Sequence, residues 1–144
     1  GIVEKIGFRS TVVRKFDKSI AIIPNFQFAE NAVINISQTT NWLISWIINL
    51  QYDTTVDQLK TIRNEIEDYI KKNEDYKSDL GYAVRVDKFA DSSIDMYIRC
   101  FTKTDDWDEW LVVKEKLAIQ IKQIVEKNGA SFAFPSQSIY VEKK

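Results

Sequence analysis

The residues that could carry chemistry begin with a run of carboxylates at Asp105, Asp106, Asp108 and Glu109. Such a run could hold a divalent cation, but a calcium loop needs ligands at alternate positions and a central glycine. This run has no glycine and stands directly before a predicted helix. Negative charge at a helix N-terminus interacts favourably with the helix dipole. We therefore interpret the run as helix-terminal charge and predict no metal site.

Composition excludes catalysis that depends on histidine, and no pair of carboxylates is marked by its spacing as an acid–base pair. The sequence has no histidine, which removes Ser-His-Asp and Cys-His mechanisms and imidazole metal ligands. The single cysteine, Cys100, lies on an alternating apolar face and has no histidine to lower its pKa, so we expect a small buried side chain. Four glycines leave little room for a phosphate-binding loop. We predict that the chain is not an enzyme, with no catalytic residue and no cofactor.

A nucleic-acid interface is suggested by basic residues interleaved with aromatic ones near the N-terminus, since such surfaces pair with phosphates and stack on bases. The residues are Arg9, Arg14, Lys15 and Lys18, with Phe8 and Phe16 among them. Glu4 and Asp17 interrupt this patch, and the 20 basic and 21 acidic residues of the chain leave a net charge of -1. Dedicated nucleic-acid binders are usually clearly basic, so we predict no nucleic-acid partner.

The elements that must position these residues fall into two groups. A length of 144 residues suits one average domain or two small ones. Residues 1–40 read as short strands at 2–6, 11–16, 20–23 and 33–37, with a helical turn at 26–31. Pro24 belongs at a strand end because it cannot donate a ladder hydrogen bond. Short strands with turns between them predict a small barrel or open sheet.

Residues 41–144 read as strand-helix-strand-strand-helix-strand, the ferredoxin-like order. Thr55 and Gln58 have capping-box spacing at the start of the first helix. The buried stripe of that helix is predicted to contain Val56, Leu59, Ile62, Ile66, Tyr69 and Ile70. Trp42 and Trp46 share one face of the first strand, as core residues rather than a ligand cage. Gly129 is the expected left-handed residue after the second helix, and a last strand lies within 132–141. The fold class is α+β.

These observations leave three classes of function open. A mixed-charge surface without catalytic groups favours a structural or assembly domain. A ferredoxin-like regulatory module that binds a small ligand at a subunit interface is the main alternative. An RNA-binding small barrel is the third, and salt-dependent binding of single-stranded RNA would distinguish it.

An ordered set of motifs favours the first class. They are G-x-V-x-x-I-G-x-R-S-T from Gly1 to Thr11, R-x-F-D from Arg14 to Asp17, I-P-N from Ile23 to Asn25, N-x-S at Asn35 and Ser37, Tyr52-Asp53-Thr54, and FAFPSQSIYV from Phe132 to Val141. In this order they resemble the small-conductance mechanosensitive channel (MscS) family across essentially the whole chain.

The resemblance implies a small Sm-like β-domain followed by a ferredoxin-like domain. It implies homo-heptamers whose domains form a hollow cage on the cytoplasmic side of the inner membrane, through which ions and small osmolytes pass when membrane tension opens the pore in hypo-osmotic shock. Pro24 and Asn25 would lie in the membrane-side loop of the β-domain. The barrel strand at the base of the cage would come from Gln137, Ser138, Ile139, Tyr140 and Val141.

The first residues of the sequence and its apolar runs lead us to expect that it is one part of a membrane protein. A strand pattern already runs at Ile2, so we expect a piece of a longer protein whose β-domain lacks its opening strands. A bilayer span needs roughly 20 apolar residues, and the best candidate, LISWIINL, is too short. We therefore expect this chain to be soluble and its transmembrane helices to lie outside it.

Overall fold

The N-terminal part of the chain forms a three-stranded antiparallel sheet. The computed structural model describes residues 1–135, which divide into two compact units, residues 1–38 and a second unit that begins at Thr39. In the N-terminal unit, β1 (Ile2–Ile6), β2 (Ser10–Arg14) and β3 (Ile20–Pro24) pair in that order, and the short helix α1 (Asn25–Glu30) follows. The chain turns between β2 and β3 at residues 17–19, where the Asp17 carboxylate accepts from the Ser19 backbone N–H and Lys18 has a φ of 68°.

The strand predicted at residues 33–37 is wrong. This segment forms a 3-10 turn at Ile36–Gln38, with no strand among residues 31–38. The Asn35 side chain accepts hydrogen bonds from the backbone N–H and the hydroxyl of Ser37. Such local bonds give the backbone an alternative to a sheet ladder, and Asn and Ser are the residues that form them most readily.

The N-terminal unit has almost no core of its own. Across residues 1–38, all of which the structure describes, Thr11 is the one buried residue, at 5% exposure. Large apolar side chains are exposed on the two outer strands, β1 and β3, and outside the strands: Ile2, Val3, Ile6, Phe8, Phe16, Ile20, Ile22, Phe26, Val33, Ile34 and Ile36. Pieces below about 40 residues rarely bury enough apolar surface to be stable alone, so this unit needs a further surface against which to pack.

The C-terminal unit has the predicted ferredoxin-like element order. Its elements are β4 (Leu43–Leu50), α2 (Val56–Lys72), β5 (Ala83–Phe89), β6 (Ile94–Phe101) and α3 (Trp107–Lys127). The strands pair antiparallel in the order β4-β6-β5, and Phe132 pairs antiparallel with Leu50 at the free side of β4. Of the last strand predicted within 132–141, the described residues contain this single bridge at Phe132, and the predicted residues beyond Pro135 lie outside the described part of the chain.

The core of this unit lies between the two helices and one face of the sheet. Even-numbered residues of β6, such as Met96 and Ile98, are fully buried, as strand alternation requires. The helices contribute residues at helical spacing: Ile62, Ile66 and Ile70 from α2, and Val113, Leu117, Ile121, Ile124 and Val125 from α3. Val56 was predicted in this stripe but is 65% exposed, because it is the first residue of α2 and lies beyond the edge of the core.

Capping fixes the helix ends as the sequence predicts. The Thr55 hydroxyl accepts from the Gln58 N–H at 3.3 Å, and the Gln58 side chain accepts from the Thr55 N–H at 2.8 Å. Together these bonds form the capping box and satisfy two of the unpaired N–H groups at the start of α2. After α3, Gly129 has a φ of 70°, the left-handed conformation that glycine adopts without strain.

Candidate functional site

The corner between β3 and α1 contains the two residues singled out in the N-terminal unit. Pro24 closes the ladder of β3 opposite Ser10 and then precedes α1 with a φ of −58°. Its missing N–H costs nothing here, because it stands at the strand end and before a helix. The chain therefore turns from sheet to helix at Pro24, and Asn25 becomes the first helical residue.

Asn25 fastens this corner to the loop between β1 and β2. Its backbone N–H donates to the Arg9 carbonyl at 2.9 Å. Its side-chain Nδ2 donates to the carbonyls of Gly7 at 2.9 Å and Phe8 at 3.2 Å. Three successive carbonyls of the loop are thus held by one residue, which fixes the loop against the start of α1.

The side-chain oxygen of Asn25 also takes part in a hydrogen bond. Asn25 Oδ1 accepts a hydrogen bond from the Thr11 hydroxyl at 2.8 Å. A shallow groove of about 380 Å³ opens beside this pair and is lined by Val3, Ile6, Thr11, Asn25, Phe28 and Val33. The lining contains no ionisable side chain, so the groove can accept an apolar group but can neither transfer a proton nor hold a metal ion.

The basic residues near the N-terminus that suggested a nucleic-acid interface are partly neutralised. The Arg14 guanidinium pairs with Glu4 across β1 and β2 at 2.8 Å, and Lys15 pairs with Asp17 at 3.2 Å. The hydrogen bond from Arg14 holds the pKa of Glu4 below its ordinary value. These pairs reduce the positive potential that a phosphate backbone would meet.

The carboxylate run has the helix-terminal role that the sequence predicts. Asp106 is the N-cap of α3 and accepts from the Glu109 N–H at 2.9 Å. The Glu109 carboxylate accepts from the Thr104 hydroxyl at 2.6 Å, which ties it to the preceding loop. Within residues 1–135, no group of three or more acidic, cysteine or histidine side chains is arranged to hold a metal ion.

Cys100 and Trp42 are structural residues. Cys100 is 1% exposed, and its burial raises the pKa of the thiol to about 12. The Trp42 indole N–H donates to the Asp105 carbonyl at 2.8 Å, and its ring contacts Trp107 and Trp110 with centroids 5.0 and 5.7 Å away. Sequence reasoning missed the contact between Trp107 and Trp42, which are far apart in the chain.

The end of the described chain runs along β4. The Gln51 N–H donates to the Ser131 carbonyl at 3.0 Å, and the Ala133 N–H donates to the Asn49 carbonyl at 2.8 Å. The predicted barrel-strand residues Gln137, Ser138, Ile139, Tyr140 and Val141 lie outside the described residues. Among the described helices, none is long and apolar enough to cross a membrane.

Both units match models of known domain families. Residues 1–38 match the "Mechanosensitive ion channel, beta-domain", and residues 44–132 match the "Mechanosensitive ion channel MscS, C-terminal" domain. An uncharacterized MscS family protein of Aquifex aeolicus is 39% identical over 99% of this chain and 39% of its own length. The low conductance mechanosensitive channel YnaI of Escherichia coli is 34% identical over 99% of this chain and 41% of its own length.

Solved structures share the fold. The crystal structure of Helicobacter pylori MscS in the closed state aligns with a TM-score of 0.81 and 24% identity, covering 99% of this chain and 54% of that one. The cryo-EM structure of Arabidopsis thaliana MSL1 aligns with a TM-score of 0.84 and 22% identity, covering 92% and 48%. This chain therefore spans about two fifths of the two curated relatives and about half of the solved chains. It belongs to the MscS family of mechanosensitive channels, which are not enzymes, and comprises the beta-domain and the C-terminal domain of that family.

Proposed function

We propose that this chain is the cytoplasmic part of a channel in the inner membrane that opens under membrane tension. In hypo-osmotic shock the open channel would release ions and small osmolytes, which pass through a cage formed by these domains. The observation that carries the proposal is the match of both domain models in consecutive order along one chain. Relatives named as mechanosensitive channels match over nearly the whole chain and extend well beyond it.

Assembly into a homo-heptameric ring is the second part of the proposal. Its support is the N-terminal unit, which has one buried residue and strands with exposed apolar side chains such as Ile6 and Ile22, at 76% and 69% exposure. Burying apolar surface releases about 25 cal/mol per Å², so such strands are stabilised when another surface covers them. Contact between unlike faces of neighbouring copies closes a ring when the rotation between them is right.

Two segments receive specific roles in this ring. Pro24 and Asn25 lie at the membrane-side face of the β-domain, where the rigid corner held by Asn25 gives the pore-lining helices a fixed support. Gln137, Ser138, Ile139, Tyr140 and Val141 supply one strand from each copy to a closed barrel at the base of the cage. Closure satisfies the backbone groups of these strands, as it does in other barrels.

Electrophysiology on the full-length channel tests the function. The protein is expressed in cells that lack their own mechanosensitive channels, and membrane patches are stretched by suction. We expect currents that appear only above a threshold of tension, together with improved survival of hypo-osmotic shock. Absence of tension-activated current from a protein that reaches the membrane would contradict the proposal. Thermal stabilisation by a small metabolite would then favour the regulatory module.

Truncation tests the barrel strand separately. A chain that stops before Ser136 is expected to lose oligomer mass while both units keep their secondary structure. A chain that stops after Val141 serves as the matched control, since it keeps the strand and loses only the charged end. Unchanged mass in the shorter chain, measured by native mass spectrometry, would count against the barrel strand.

A further inference from the structure

The two residues that precede β4 are bonded to the residue that follows β6. The C-terminal unit begins at Thr39, and β4 begins at Leu43. Between them, the Asn41 side-chain Nδ2 donates to the Thr102 carbonyl at 2.8 Å. The Trp42 carbonyl accepts from the Thr102 backbone N–H at 2.9 Å, and the Trp42 backbone N–H donates to the Thr102 hydroxyl at 3.3 Å. The chain is therefore fixed before the strand begins.

The side chain of Trp42 adds a second attachment, to the start of α3. Its indole N–H donates to the Asp105 carbonyl, immediately before the cap of that helix, at 2.8 Å. Its ring contacts the rings of Trp107 and Trp110 in the first turn of α3. A pull on Trp42 is therefore shared between the end of β6 and the start of α3.

The segment that receives these bonds is itself held on its other side. Thr102 is 0% exposed and forms an antiparallel bridge with Tyr76. The backbone N–H of Lys103 donates to the Asp75 carbonyl at 2.9 Å. Because Thr102 and Lys103 are bonded to residues 75–76 as well as to Asn41 and Trp42, they cannot follow a displaced N-terminal segment without losing these further bonds.

The position of these contacts decides how the unit resists force. Leu43 faces Phe101 at the first pair of the β4–β6 ladder. When a strand is pulled from its end, the ladder bonds are loaded one after another instead of together. The bonds of Asn41 and Trp42 lie ahead of that first pair, so they must break before the ladder is loaded.

We propose that Asn41, Trp42 and Thr102 form a mechanical anchor, which takes up force on the incoming chain before the force reaches the β4–β6 ladder. The anchor itself follows from the contacts around Thr102. The source of the force, membrane tension passed along the chain, rests on the proposed function. In the channel, the anchor would keep the C-terminal unit folded while the chain before Thr39 is under load.

Pulling the 144-residue chain with optical tweezers tests the anchor. One handle is attached to the N-terminus and the other to Lys60→Cys, at an exposed position of α2, while Cys100, which is 1% exposed, escapes the coupling chemistry. Residues 1–38 then lead the force to the anchor. At constant force we expect Asn41→Ala to unfold about three- to tenfold faster, because a bond that must break first is missing. Thr102→Val, which removes the hydroxyl of the same contact, should change the rate in the same direction.

The matched control is Ile121→Val, which shortens a buried side chain towards the other end of α3. This substitution lowers the equilibrium stability of the unit without touching the anchor. Under the N-terminal pull, we expect Ile121→Val to accelerate unfolding less than Asn41→Ala. A second geometry, with handles at Lys60→Cys and Asp87→Cys, bypasses the anchor, and there Asn41→Ala should lose its excess over Ile121→Val.

Two results of the pulling experiment would overturn the proposal. One is equal acceleration by Asn41→Ala and Ile121→Val under the N-terminal pull. The other is the same excess of Asn41→Ala in both pulling geometries, which would show a general loss of stability in place of an anchor. Because the pulling requires no membrane, its result is independent of the patch recordings. A full-length protein without tension-activated current would contradict the proposed function and leave a measured anchor in place.

Discussion

The Thr11 hydroxyl donates to the Asn25 side-chain oxygen at 2.8 Å, and this bond joins the centre of the small sheet to the start of α1. Thr11 is the one buried residue of residues 1–38, at 5% exposure. Asn25 donates from its backbone N–H and its side-chain Nδ2 to three carbonyls of the β1–β2 loop. In a unit with so little apolar core, the four hydrogen bonds of Asn25 supplement the ladders between β1, β2 and β3.

Asn25→Ala is expected to destabilise the N-terminal unit by about 1–3 kcal/mol, because loop carbonyls and the Thr11 hydroxyl lose their partners. Amide exchange along β2 measures the change. The matched control is Asn31→Ala, since the exposed Asn31 side chain bonds only the Gln27 carbonyl, within one turn of helix. Similar losses of protection in the two variants would show that Asn25 has no special role at the corner.

Thr55→Ala is expected to lower the free energy of unfolding of the C-terminal unit by about 1 kcal/mol, because it removes one half of the capping box. Thr61→Ala is the control: the Thr61 hydroxyl bonds the Asp57 carbonyl inside the helix, and alanine is the better helix former. Urea unfolding followed by tryptophan fluorescence compares them, since all four tryptophans lie beyond residue 41. A Thr61→Ala variant less stable than Thr55→Ala would contradict this explanation.

The C-terminal unit could be predicted from the sequence because its signals are local. Ile62, Ile66 and Ile70 recur at helical spacing, and the Thr55 cap stands directly before them. The N-terminal unit was harder, since alternation in residues 33–37 indicates a strand only if another strand is available to pair. The Asn35 side chain bonds Ser37 instead, and a turn results.

The contacts of Asn25 could not be predicted from the sequence. The I-P-N motif identifies Asn25, but its bonds to Gly7, Phe8 and Thr11 depend on how β1, β2 and β3 pair. For the same reason the contact between Trp42 and Trp107 could not be predicted. It requires the start of β4 and the start of α3 to meet, and no local pattern records that meeting.

Acid is expected to destabilise the C-terminal unit in part through Asp95, which is 5% exposed. Hydrogen bonds from Ser93 and Asn49, with the Lys88 ammonium nearby, hold the pKa of this carboxyl below its ordinary value against the opposing effect of burial. A lowered pKa in the folded state means that the stabilisation is present above the unfolded value of about 3.9 and is lost as the pH falls through the folded value.

Asp95→Asn should therefore show a smaller fall in urea midpoint between about pH 5 and pH 3 than the wild type, although its midpoint at neutral pH is lower. Asp87→Asn, at an exposed position of β5, is the control and should keep the wild-type pH dependence. Parallel urea titrations at several pH values provide the comparison. If Asp95→Asn follows the wild-type curve, its carboxylate does not contribute to acid sensitivity.

Burial along α3 predicts a large loss of stability when one of its aliphatic residues is truncated and almost none for another. Leu117 is fully buried at 0% exposure, whereas Ile119, two positions later, is 53% exposed. Leu117→Ala leaves a cavity between α3 and the sheet and is expected to cost about 2–5 kcal/mol of unfolding free energy. Ile119→Ala removes a side chain that is already half in water and should change stability by no more than about 0.5 kcal/mol. Urea unfolding of the two variants measures the difference, and comparable losses would mean that α3 presents a different face to the core.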